Sequence, residues 1–303
     1  MATERRVGRG APGEDSWAGA GGQGARWIAL NLELRAPHTW LGPSWALLAG
    51  ALSSGNLGLE PRTLVMLAVV WLLAEPLLGS LVALSLRIAR RRHVGRAAAP
   101  VPRWTLPYAQ PDAPGQRALA ALARGAARLR LNWRACEGGA ERWLLLGAIT
   151  LALSTVVGGR VVEVVALAMV SLALVAAGRP VRGEGRAVLS AGQFLVAWLA
   201  GRGAFAEVDY GALLVGAGFT VAWYAWLRRP PHGRLLATAH VVLGGLLVAL
   251  GAPLAAGGVL LLAAPLFVLW PESAAGQRSY LRHTQVYLML SLLIGAWGLA
   301  WAS

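Results

Sequence analysis

The sequence predicts an all-α integral membrane protein, a bundle of nine transmembrane helices with a cytoplasmic N-terminus. Three observations carry this expectation. Hydrophobic residues make up 56% of the 303-residue chain and charged residues only 14%, well under the roughly 25% charged of an ordinary soluble domain. Nine apolar segments, close to the length that crosses a bilayer, recur at about 38–55, 62–86, 143–158, 161–177, 187–203, 210–227, 235–251, 253–270 and 282–301. With the N-terminus inside, all 28 basic residues except Arg62, Arg160 and Arg202 fall in cytoplasmic segments. One missed helix would scatter the arginines over both faces, so this asymmetry supports both the count and the orientation.

Taken in order, residues 1–25 are rich in Gly, Ala and charge and lack an apolar core, which predicts a disordered tail rather than a secretory signal. Residues 26–35, RWIALNLELR, place Trp27, Leu30 and Leu34 at helical spacing, as in a helix lying in the membrane interface. Residues 26–303 read as a single transmembrane domain with one large cytoplasmic insertion at about 87–142. Five prolines make the first half of that insertion irregular, and QRALAALARGAARLRLNWRAC then sets Leu119, Leu122, Ala126, Leu129 and Trp133 on one helical stripe. That helix suits either anionic headgroups or a packed cytoplasmic surface. A pI near 11.5 would suggest nucleic acid in a soluble chain. Here the charges lie between apolar spans, so membrane lipids are the expected partner and nucleic acid is not. Cys136 is the one cysteine, which excludes an intrachain disulfide and a multi-cysteine metal site. The tryptophans are expected at the membrane interface, as Trp143, Trp226, Trp270 and Trp301 near span ends suggest.

Few residues could carry chemistry. Glu75 is an acid within the second span, beside Pro76, which leaves a backbone carbonyl one turn earlier without its helical donor. It could hold a proton, a headgroup or a pigment substituent, or it could be a neutral acid bonded to a neighbouring helix. Glu163 lies near an outer end and is expected to be solvated. His240, inside the seventh span, is either a packing residue or a ligand of haem iron or chlorophyll magnesium. Arg87, Arg90, Arg228, Arg229 and Arg234 end the second span and flank the sixth-to-seventh connection. They form a cationic rim for a diphosphate or lipid phosphate if the two mouths adjoin, and otherwise only the positive-inside signature. No serine elbow or phosphate-cradling glycine loop is present.

The stretch APHTWLGPSWALLAGALSSG (36–55) resembles the first helix of the UbiA superfamily of intramembrane prenyltransferases, in its chlorophyll and bacteriochlorophyll synthase branch. AEPLLGS (74–80), GRPVRGEGRAVLSAGQFLVAWLAG (178–201) and RHTQVYLMLSLLIGAWGLA (282–300) resemble its second, fifth and last helices. The resemblance implies nine helices around a lipid-open cavity. It also implies two aspartate-rich motifs, on the cytoplasmic ends of the second and sixth helices, that bind Mg²⁺ and through it a prenyl diphosphate. Those positions here read LRIARRRHV (86–94) and WLRRPPHGR (226–234), without an acid. No catalytic or metal-binding residue is therefore expected.

The expectation that follows is a non-catalytic member, a structural or assembly subunit of a membrane complex that holds a prenylated lipid, a quinone or a (bacterio)chlorophyll-type pigment, in the bacterial inner membrane. The alternative is an active prenyltransferase, passing a prenyl group to an aromatic or chlorophyllide-like acceptor, with Arg87, Arg90, Arg228 and Arg229 in place of Mg²⁺.

Overall fold

Helices account for the chain wherever the apolar segments were expected, and no strand occurs among the described residues. The computed structural model describes residues 37–94, 115–120, 123, 138–177, 184–228, 232–269 and 277–302. The tail, the interfacial helix and most of the 87–142 insertion lie outside them. Within the insertion, residues 115–120 are helical and Ala123 is buried.

The first helix, α1, runs Pro37–Leu52. A second run follows as α2 (Pro61–Leu72), a π-helical turn (Leu73–Leu77) and α3 (Leu78–Val94). Then come α4 (Gly139–Val157), α5 (Gly159–Ala177), α6 (Glu184–Gly203), α7 (Tyr210–Leu227), α8 (Gly233–Ala249), α9 (Pro253–Val268) and α10 (Gln277–Ala302). Local chemistry sets several boundaries. Pro61 and Pro253 start their helices in the first turn, where a missing N–H leaves no bond unmade. Asp209 caps α7 by accepting from the Ala212 N–H at 2.6 Å.

Among the described residues, five helical runs are long and apolar enough to cross a membrane: Pro61–Ala89, Gly139–Val157, Gly159–Ala176, Tyr210–Leu227 and Ser279–Ala302. The protein is a multi-pass membrane protein on that ground. Helix α1 has 16 residues, α8 has 17 and α9 has 16. At 1.5 Å per residue each is about 25 Å long, shorter than a hydrocarbon core of roughly 30 Å.

Helices α1 and α6 form the most extensive contact and stand between two groups. On one side α3, α4 and α5 pack on each other. On the other side α7, α8, α9 and α10 close a ring, with α7 touching α10. At the α6–α7 contact, Phe194 stacks on Trp223 with centroids 5.2 Å apart, and Trp223 lies 4.9 Å from Trp226. Trp198, Trp223 and Trp226 are fully buried, so the interfacial expectation is corrected for Trp226. Trp198 and Trp226 have internal partners for the indole N–H, Ala212 O at 3.0 Å and Thr284 Oγ1 at 2.9 Å respectively, which removes the need for water. Trp301 is exposed, as expected.

The short connections meet at one end of the bundle. Asn56 Nδ2 donates to Phe205 O, Arg160 pairs with Glu207, Gly211 lies against Leu250 and Gly55 lies near Ala300 O. The turns after α1, α4, α6 and α8, and the end of α10, thus share this turn end. The connections after α3, α5, α7 and α9 leave from the opposite, arginine-rich end.

Candidate functional site

Two polar centres lie near mid-depth in the bundle. The first is built by Pro76. Its ring crowds the carbonyl of Leu72 and it offers no N–H, and the helix responds by widening into the π turn Leu73–Leu77. The Leu78 N–H reaches back to the Leu73 carbonyl, and the carbonyl of Ala74 instead takes a bond from Gln193 Nε2 of α6 at 3.2 Å. Residues 73–81 are all buried, so protein surrounds the span here on every side.

Glu75 lies in this turn, at the midpoint of the 29-residue run Pro61–Ala89. Ser44 Oγ of α1 donates to Glu75 Oε1 at 3.1 Å, and Trp71 Nε1 donates to Ser44 Oγ at 3.1 Å. Glu75 thus meets a neutral donor, and no basic side chain pairs with it among the described residues. Of its two sequence readings, the bond to a neighbouring helix is present. A carboxyl group with neutral partners inside a span can also take up a proton or a polar ligand group.

The second centre is His240 on α8, 1% exposed. Its Nδ1–H donates to the Leu236 carbonyl at 2.8 Å, which in the neutral ring puts the proton on Nδ1 and leaves the lone pair of Nε2 free. Nε2 is enclosed and has no partner, and Ser291 Oγ of α10 shares that condition. The sequence singled out His240; Ser291 carried no signal, because serines are common in membrane helices.

Of the expected arginine rim, three side chains are described. Arg87 is exposed on α3, Arg234 is exposed in the first turn of α8, and Arg228 is half-buried at the end of α7. The side chains of Arg90 and Arg229 lie outside the described residues. Helix α3 packs chiefly on α4 and α5, whereas α7 and α8 pack on each other and on other helices.

A buried ionic centre lies at the turn end, where the sequence indicated only one of three outer arginines. Arg202 is 3% exposed. Its guanidinium donates to the Ser53 carbonyl, to the Glu207 carbonyl at 2.9 Å and to Asp209. Its fork is satisfied from three sides and joins the turn after α1 to the turn after α6. The pairing of Asp209 with Arg202 carried no signal in the sequence. Glu163 is exposed, as expected.

Among the described residues, no three His, Cys, Asp or Glu side chains are grouped so that they could hold a metal ion. No protein-family model, curated protein or solved structure matches the chain.

Proposed function

We propose that the chain is a nine-span, UbiA-like protein of the bacterial inner membrane with its N-terminus in the cytoplasm. In this reading it is non-catalytic. It holds a prenylated lipid, a quinone or a (bacterio)chlorophyll-type pigment as a structural or assembly subunit of a larger complex. The observation that carries the binding role is the set of buried polar side chains at mid-depth, Glu75, His240 and Ser291. Polar groups inside a membrane protein are costly, and a bound molecule with a polar head is one reason to keep them. The non-catalytic part is supported by residues 86–94 and 226–234, which have arginines and no acid. Hard Mg²⁺ has no oxygen ligands to take there. The enzyme alternative needs Arg87 and Arg228 on one diphosphate.

Purification from native membranes in mild detergent, followed by organic extraction and mass spectrometry, tests the reading. A stoichiometric isoprenoid, quinone or pigment, or a stable partner protein, is expected. A lone chain with neither would overturn it.

A further inference from the structure

His240 and Ser291 stand on different helices of the ring formed by α7, α8, α9 and α10, and the packing shows which way each points. On α8, Leu243 lies against Gly218 of α7 and Gly244 lies against Leu260 of α9. At 100° per residue His240 falls between those two directions. It therefore points across the ring, at α10. On α10, Thr284 bonds Trp226 of α7 and Gly295 meets Phe219 of α7, while Ile294 lies against Gly258 of α9 and Gly298 against Ala255 of α9. Ser291 falls between these two sets and points across the ring at α8.

Their depths agree as well. Gly244 is level with Leu260, and Gly295 with both Val259 and Phe219, while Gly218 is level with Leu243. Counting along the antiparallel helices from these contacts brings His240 and Ser291 within about one helical turn of each other. Ala222 of α7 and Ala263 of α9, both buried, are small side chains on the intervening helices at that level.

The ring thus holds a lone pair that needs a donor and a hydroxyl that needs an acceptor, facing each other in an otherwise apolar interior. Burying either group without a bond costs on the order of 1–3 kcal/mol. We infer that the α7–α10 ring contains a binding site for a single hydroxyl group, which donates to His240 Nε2 and accepts from Ser291 O–H. Two sources have this chemistry: one water molecule, or the head hydroxyl of a lipid-soluble alcohol or quinol. With the lipid source the inference rests on the proposed binding role; with water it stands apart from it. The exposed side of α8 presents Val241, Val242 and Val248, and that of α10 presents Val286 and Leu290. Either helix can move outward to admit the guest without breaking a protein contact on that face.

Ser291→Ala in the full-length protein decides the matter by sign. If the site is occupied, removing the hydroxyl breaks a bond and lowers Tm by about 2 °C or more. If it is empty, the same change removes an unsatisfied buried hydroxyl, and Tm holds or rises; that result overturns the inference. In a His240→Phe background the Ser291→Ala shift should vanish, and an equal fall in both backgrounds would also overturn it. Should the His240→Phe chain not fold, the sign in the wild-type background decides alone. Extracted lipid separates the sources. A hydroxyl-bearing lipid lost about tenfold with Ser291→Ala identifies the lipid, as expected for one hydrogen bond of about 1.4 kcal/mol. The same Tm pattern with no change in lipid identifies water. A wild-type protein without lipid that still shows the pattern counts against the proposed binding role but not against the site.

Discussion

At the scale of single residues, the turn end depends on one charge. Arg202 is enclosed, and Asp209, half exposed, is the one carboxylate that reaches its guanidinium among the described residues. Asp209→Ala removes both that counter-charge and the α7 cap. A fully buried pair broken from one side costs about 3–5 kcal/mol; with Asp209 half exposed and two carbonyls still on Arg202 the cost is less than that, and a lost cap adds about 1 kcal/mol. The expected outcome is a large fall in thermal stability in detergent, with Asp209→Asn falling less because its side-chain oxygen still caps Ala212. Equal falls for the two variants would place the whole effect in the lost charge, and no fall for Asp209→Asn would place it in the cap. The exposed Arg160–Glu207 pair is worth less than about 1 kcal/mol, so Glu207→Ala serves as the mild comparison. At this scale the sequence was legible where a residue type was out of place in its surroundings. An acid and a histidine within apolar runs pointed to Glu75 and His240. It was illegible where the partner was distant: Arg202 is buried by the Ser53 carbonyl, 149 residues away, and Ser291 matters only because His240 faces it.

Among the elements, the α1–α6 contact is the one with least tolerance. A Cβ on Gly50 would collide with the Trp198 carbonyl, and one on Gly201 with the Leu47 carbonyl. These are backbone atoms and cannot rotate away, so the two helices approach as closely as small residues permit. Gly201→Ala is expected to separate the helices and yield aggregated or poorly expressed protein on size-exclusion chromatography. Gly192→Ala on the same helix, with open space around the added methyl, should behave as wild type. If Gly201→Ala also stays monodisperse and equally stable, the close approach is not needed. Helix positions were readable because apolar runs of bilayer length have few alternatives in this composition. The form of the break at Pro76 was not, since a proline in a helix can kink, unwind or widen it, and only the packing of residues 73–81 selects the π turn. Three helices proved shorter than a straight crossing, which hydropathy alone does not resolve to within a turn.

For the whole molecule, the expectation is two ends on opposite sides of a membrane. The first helix and the last both run toward the turn end, so the start of α1 and the end of α10 lie at opposite ends of the bundle. In a Cys136→Ser background, Leu59→Cys and Glu207→Cys, both exposed at the turn end, are expected to react with a membrane-impermeant maleimide added to intact cells. Arg234→Cys should react only after permeabilisation. Labelling of all three from outside would break the topology. The arginine bias made this end-to-end division legible without any structure, whereas the contact order of the helices was not, because hydropathy does not say which apolar face meets which. The turn end has one more consequence. Arg62, Arg160 and Arg202 are there matched against Glu60, Glu163, Glu207 and Asp209, in a chain whose net charge is +14. In an energised cell, negative inside, carrying one positive charge outward takes about 2.3 kcal/mol per 100 mV. In the proposed orientation, with an acid to offset each of its arginines, every hairpin tip would leave the cytosol without opposing that field, and the positively charged remainder would be held back by it.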